Sequence, residues 1–305
     1  MRVLVSGSSG LVGSALCEWL PTKGHTVLRL VRRAAMDHDE VPWDPASGSL
    51  HAEALEDLDA VVHLAGAGIA DERWTEARKA MIHASRARST RLLAGALATL
   101  AHKPRVLVSA SAVGWYGDRG DEWLDEASDP GTGFLAAVGR AWEGAAEAAV
   151  DAGIRVAHPR TGIVLALQGG VLAKLLPLFR LGLGGPIGSG RQWWSWISLD
   201  DALAAVMHAI EHEDVRGPFN AVAPEPVTAG DFARTLGHVL ARPAGLPAPA
   251  FALRAVMGRE LVDEALLASQ RVRPAVLERT GFAYRDPVLK DALRRVLLVP
   301  AGAPA

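Results

Sequence analysis

Three glycines, Gly7, Gly10 and Gly13, stand between an apolar run, Val3 to Val5, and the start of a helical stretch near Ser14. A buried strand that enters a glycine turn and leaves as a helix aims free backbone N–H groups and the positive end of the helix dipole at one spot, which suits a pyrophosphate. Gly7 permits the tight turn, Gly10 lets the backbone approach the phosphates, and Gly13 lets the helix pack closely on the sheet. With Ser9, Leu11 and Val12 between them, these positions are the candidate cradle of a dinucleotide. The second apolar run, Val27 to Val31, ends on Val31 and continues as Arg32-Arg33. An NAD site places a carboxylate there for the ribose diol; this one offers guanidinium groups, which grip a 2′-phosphate through charge-assisted bonds. NADP(H) is therefore the expected cofactor, with Val31 and Arg32 against its adenosine end. The alternative for the two arginines is a solvated pair at a strand end.

Elements that would hold such a site are legible along the chain. Apolar runs at Val3–Val5, Val27–Val31, Ala60–Leu64, Val106–Val108 and Val156–Leu165 alternate with helical stretches near 14–22, 74–101 and 134–152. That alternation predicts an α/β fold, a doubly wound parallel Rossmann sheet. Near Gln168 the pattern gives way to a glycine- and tryptophan-rich segment, and beyond Pro224 to proline-rich linkers with helices near 229–240, 261–270 and 287–298. We expect a Rossmann NADP-binding domain over 1–166 that regains 195–224, and a smaller C-terminal substrate-side domain from 167–194 and 225–305. Positions 288, 289, 292, 293, 296 and 297 make one apolar face of the last helix, read as core.

Composition narrows the function. With 50% hydrophobic residues the chain folds as a globule. Its 32 lysines and arginines nearly balance 34 acidic residues, so no global field gathers nucleic acid or an anionic membrane. No apolar stretch approaches the roughly 20 residues that span a bilayer. Met1 runs straight into the first strand without the succession of a secretory signal, and Cys17 is the single cysteine, so a reducing, cytoplasmic setting is expected. His63 lacks companions at metal-ligand spacing, and no metal is expected. Homo-oligomers are compatible with the sequence.

The G-x-x-G-x-x-G spacing resembles the extended short-chain dehydrogenase/reductases, and further segments follow in their order. Val61-Val-His-Leu-Ala-Gly66 is similar to the fourth-strand motif, Ser109-Ala-Ser111 with Tyr116-Gly117 to the fifth-strand serine motif, and Leu199-Asp-Asp201 to a later aspartate motif. Trp43-Asp-Pro, Arg73-Trp-Thr, Arg160-Thr-Gly-Ile-Val-Leu165 and Gln270-Arg-Val-Arg-Pro274 look like the epimerase-family branch labelled nucleoside-diphosphate-sugar epimerase. The resemblance implies that Leu64, Ala65, Gly66, Ser109 and Ile163 line the cofactor, and that Arg86 stands where relatives carry asparagine.

In that superfamily a tyrosine delivers the proton, a lysine four residues on tunes it, and a serine orients the substrate. The two tyrosines here, Tyr116 and Tyr284, are followed at that distance by Gly120 and Val288, so the pair is absent. Alignment through Trp142-Glu143 puts Leu135 and Gly139 in the two slots. Ser111 matches the serine, and Ser111 with Tyr116 is the candidate catalytic set, with Lys79 or Arg160 as helpers if the fold brings them in; otherwise both residues shape the pocket. Trp193, Trp194 and Trp196 fit either stacking on a ligand, with Gln192 bonding it, or hinge packing. Two readings of function follow: an NADP-dependent epimerase or oxidoreductase on a nucleotide-sugar or small carbonyl compound, or a non-catalytic NADP(H)-sensing protein that acts through a partner.

Overall fold

Side chains of β1 (Arg2–Ser6) alternate between two cores and so set the layers of the molecule. Val3 and Val5 pack with Leu16 and Leu20 of α1 (Leu11–Thr22), while Leu4 packs with Leu93 and Leu97 of α2 (Glu76–Thr99). Each such side chain fully removed from water contributes about 1.5–3 kcal/mol. The structure is a computed structural model and describes residues 1–298; residues 299–305, the end of the expected substrate-side domain, lie outside them.

After β1 come β2 (Thr26–Val31), β3 (Glu40–Asp44), β4 (Ser49–Leu50), β5 (Ala60–His63), β6 (Val106–Ser109), β7 (Ser111–Ala112) and β8 (Trp123–Leu124). Then follow β9 (Arg155–Thr161), β10 (Ile163–Leu165), β11 (Trp193–Trp194), β12 (Trp196–Ser198), β13 (Gly217–Ala221), β14 (Val227–Thr228) and β15 (Arg271–Val272). The main sheet is nine-stranded, in the order β13-β9-β6-β5-β1-β2-β3-β4, with β7 added beside β9. Its pairs are parallel except β3 with β4. Strand order reverses at β1, which has β2 on one side and β5 on the other; at such a switch point the strand ends diverge and leave a crevice. The expected doubly wound α/β sheet is present.

The remaining helices are α3 (Phe134–Gly144), α4 (Glu147–Asp151), α5 (Gly170–Arg180), α6 (Leu199–Glu211), α7 (Ala229–Leu240), α8 (Ala250–Met257), α9 (Arg259–Ala265), α10 (Ala275–Arg279) and α11 (Leu289–Leu298). A separate core joins Leu172 and Phe179 of α5, Phe232 and Leu236 of α7, and Leu289 and Leu293 of α11 to Trp194 and Trp196. The apolar face of the last helix thus packs inward, except Val288, which is exposed. The helix expected over 134–152 is two, broken at Ala145–Ala146. The long run 156–165 is also two strands, because Gly162 passes against Ser195: a Cβ there would lie 2.5 Å from its carbonyl oxygen. No helix among the described residues is long and apolar enough to cross a membrane.

Candidate functional site

The glycine turn is built as its residue types require. Gly7 has φ +70, and a Cβ on it would lie 2.7 Å from the carbonyl carbon of Leu64. A Cβ on Gly13 would lie 2.1 Å from the Gly7 carbonyl oxygen, so only glycine lets α1 come this close to the turn. Gly10 is the N-cap of α1 and supplies no side-chain cap. Leu11, Val12 and Gly13 form the first turn of that helix, whose leading amides have no partner within it. Beside the turn lies a cleft of about 770 Å³, lined by Gly7, Ser9 and Gly10, by Val31 and Arg32, and by Leu64, Ala65 and Gly66. The fold brings these sequence-distant candidates together.

The two arginines after β2 differ. Arg33 makes a two-bond fork to Glu40, Nη1 to Oε2 and Nη2 to Oε1, each 2.7 Å. Arg32 is exposed and makes no hydrogen bond or ion pair among the described residues. Arg32 is thus the guanidinium at this edge of the cleft that remains available to an anion.

Leu11, Val12 and Gly13, Arg86, Ser109 and Ile163, and the pair Ser111 and Tyr116 lie outside the cleft lining. Arg86 donates to the Ala67 and Ile82 carbonyls at 2.9 and 3.1 Å and stacks 4.9 Å from the Trp142 ring centroid. Burial holds its pKa down at about 10. A Cβ on Gly66 would lie 3.2 Å from its guanidinium carbon, so Arg86 supports the Gly66–Ala67 turn from beneath. Ser109 is fully buried at the end of β6, and its hydroxyl has no partner among the described residues. Ile163 pairs with Trp196 between β10 and β12, and its N–H donates to the Ser195 carbonyl at 2.8 Å.

Where β6 and β9 end, a polar chain runs through the molecule. Ser111 Oγ donates to Glu143 Oε1 at 2.6 Å. Arg160 holds the same carboxylate through Nε and Nη2, both at 2.9 Å, and its Nη1 donates to Tyr116 Oη at 3.1 Å. Tyr116 in turn donates to Asn220 Oδ1 at 2.8 Å. Glu143 and Asn220 were not among the candidates, because they lie 32 residues from Ser111 and 104 from Tyr116 and no local pattern links them. Of the two expectations for Tyr116, acid or pocket-shaping residue, its surroundings favour the second. Its side chain has no exposure, its proton is committed to Asn220, and burial pushes its pKa up to about 12. A phenol so placed anchors structure.

Of the two positions on α3 expected to align with the tyrosine and lysine, Gly139 is closed off by packing. A Cβ on Gly139 would lie 3.0 Å from Trp115 Cδ1, and the Arg160 guanidinium carbon is 3.4 Å from the centroid of that indole. At the start of α3, Glu264 of α9 accepts from the Phe134 and Leu135 amides at 2.9 and 2.8 Å, capping the helix from elsewhere in the chain. Lys79 is held by Glu76 and Glu260 at 2.8 and 3.1 Å and does not join Tyr116.

The tryptophan segment is mostly core. Trp194 and Trp196 are buried, and Gln192 is spent on the Ile187 and Leu266 carbonyls. Trp193 donates to Asp121 and lies 4.1 Å from the Arg271 guanidinium. His63 is buried between Ser6 and Ser89, 2.6 and 3.2 Å away, and burial lowers its pKa to about 4. Among the described residues no cluster of three or more histidine, cysteine or acidic side chains could hold a metal.

Residues 3–221 match the model of the NAD dependent epimerase/dehydratase family. The chain belongs to that family. Residues 248–296 match a second model, a domain of unknown function, DUF1731. An epimerase family protein of Mycobacterium leprae is 44% identical over 291 residues, covering 95% of this chain and 94% of that one. Human epimerase family protein SDR39U1 is 37% identical over 300 residues, covering 97% and 100%. The crystal structure of its isoform 2 with NADPH superposes with a TM-score of 0.88 at 36% identity, over 97% of this chain and 99% of that one. A structure described as the nucleoside-diphosphate sugar epimerase of Corynebacterium glutamicum has a TM-score of 0.79 at 38% identity, and this chain spans 58% of it.

Proposed function

We propose that the protein binds NADP(H) in the cleft at the glycine turn and uses it in a redox or epimerisation step on a small carbonyl or hydroxyl compound, with nucleotide-sugars the leading class. The observation that carries the reading is the pairing of that cradle, which no side chain at Gly7 or Gly13 would leave intact, with the unpaired Arg32 at its edge. The NADPH bound in the human relative's structure supports it. When bound, the cofactor supplies or accepts a hydride. Gly7, Ser9, Gly10 and the first turn of α1 hold its pyrophosphate, Val31 and Arg32 its adenosine end, and Leu64, Ala65 and Gly66 the adjoining wall; Arg86 positions that wall.

Proton handling falls to Ser111 and Glu143. Because the Ser111 hydroxyl donates its hydrogen bond to Glu143 Oε1, the free lone pairs of Ser111 suit a substrate hydroxyl. As that hydroxyl is oxidised, its proton passes to Ser111 Oγ while the proton of Ser111 passes to Glu143 Oε1; reduction of a carbonyl runs the same transfers backwards. We take 167–194 and 225–305 as the substrate-side domain, and the single, unpaired Cys17 fits a reducing, cytoplasmic setting.

The test is purified protein with NADPH, or NADP⁺, and a panel of nucleotide-sugars and simple carbonyls, followed by cofactor absorbance and product identity. Turnover that falls by about 10²-fold or more in Ser111→Ala and Glu143→Gln, with NADPH affinity retained, is expected. A second reading, a cofactor sensor without turnover, is favoured by the filled slots at Leu135 and Gly139. Tight NADPH binding with no turnover on any substrate would establish it instead.

A further inference from the structure

Glu40 opens β3, the strand next to β2, and is one of the residues around the cleft that also holds Val31 and Arg32, with its carboxylate buried behind Arg33. Its side chain is 0% exposed while that of Arg33, which covers it, is 49% exposed. Three partners hold the carboxylate in place. Arg33 binds both oxygens at 2.7 Å, the Met36 amide donates at 2.9 Å, and Arg29 Nη2 lies 3.3 Å away. Arg29 is shared with Asp39 and Asp37, at 3.0 and 3.4 Å, so Arg33 alone gives its charge wholly to Glu40. Arg33 Nη1 also donates to the Ala34 carbonyl at 3.0 Å, which fixes the plane of its fork. These bonds hold the Glu40 carboxylate well below the usual range, at about 2, so it stays charged.

A charged carboxylate at the end of the second strand is what sites for unphosphorylated dinucleotides use to bond the ribose diol and repel a 2′-phosphate; Glu40 stands one strand over, in register with Arg29, and Arg33 reaches back to it from the end of β2. We propose that Glu40 is such a carboxylate held out of use, that Arg33 is the mask that keeps the site selective for NADP(H), and that Arg32 alone reads the 2′-phosphate. The inference rests on the dinucleotide reading of the cleft. Selectivity then comes from two adjacent arginines with different tasks, one neutralising an acid that would reject the phosphate, the other binding it.

The experiment is a double-mutant cycle on the full chain, with dissociation constants for NADPH and NADH read from nicotinamide fluorescence and thermal unfolding as the control for folding. Arg33→Ala uncovers Glu40 and is expected to weaken NADPH by about tenfold or more through like-charge repulsion, while NADH binds as well or better. Glu40→Gln alone raises NADPH affinity a few-fold. Adding Glu40→Gln to Arg33→Ala recovers most of the loss. A double variant as poor as Arg33→Ala would overturn the proposal, because it would mean that Arg33 itself grips the phosphate; so would an Arg33→Ala protein with unchanged preference. Arg33→Lys, which keeps the charge and loses the fork, falls between and serves if the alanine variant unfolds. An unmodified protein that binds neither cofactor would sink the dinucleotide reading itself, a result separate from all of these.

Discussion

Trp115 lies against Gly139 so closely that a Cβ on residue 139 would meet its indole at 3.0 Å. An aromatic ring thus occupies the space that a side chain would need at the position expected to align with the superfamily's lysine. Introducing the missing pair, Leu135→Tyr with Gly139→Lys, is expected to leave turnover unimproved and to lower stability by about 1–3 kcal/mol, the usual result of overpacking. Urea unfolding checks it. Adding Trp115→Ala to that variant is expected to recover stability, and a double variant as stable as the unmodified protein would show that the ring does not block the slot.

Arg32→Asp is expected to invert cofactor preference. The unmodified protein is expected to bind NADPH more tightly than NADH; loss of a charge-assisted bond costs about 1.5–3 kcal/mol, so NADPH affinity is expected to fall by at least tenfold while NADH changes little. Paired fluorescence titrations decide the matter, and equal affinities in the unmodified protein would remove Arg32 from the role.

Tyr116→Phe leaves Asn220 Oδ1 without its donor and Arg160 Nη1 without its acceptor, both in a buried region. Stability is expected to drop by about 1–3 kcal/mol, the cost of an unsatisfied buried polar group. NADPH affinity should be unchanged. If instead stability were untouched and turnover abolished, the phenol would have a chemical task that its burial argues against.

His63 gives a stability signature in pH. Burial lowers its pKa from 6.5 to about 4, so between those values the unfolded chain binds a proton that the folded chain refuses. Stability is complete above the higher value and is lost as pH falls through the window, by up to about 3 kcal/mol. His208, also lowered to about 4, acts in the same direction. His63→Gln is expected to remove part of the slope between about pH 7 and pH 5, measured by urea unfolding at both; an unchanged slope would exclude His63 as its source.

How much of this was legible follows from the range of each interaction. The glycine turn is local: strand, turn and helix follow within residues 2–22, so Gly7, Gly10 and Gly13 spoke for themselves. The absence of a tyrosine–lysine pair was equally visible, being a matter of counting two tyrosines. Glu143 was passed over because its meaning comes from Ser111 and Arg160, which reach it only when β6, β9 and α3 are assembled. Arg33 and Arg32 are indistinguishable as neighbours in sequence and separate only when β3 brings Glu40 alongside. Helix α5 was hidden by its internal Pro177 and the glycines at its start, and α8, with no buried residue, lacked a face to betray it. The break at Ala145–Ala146 follows Gly144, the last residue of α3, whose poor helix propensity marks the spot.

Glu264 belongs to the stretch matched by DUF1731, yet its two oxygens complete the first turn of α3, a helix within the epimerase-family match. The seam between the two matched regions is thus no place to cut or graft. A chain ending before α9 would fold its sheet around a helix whose opening amides face nothing, and a C-terminal unit borrowed from a distant relative would need an acid at the corresponding turn.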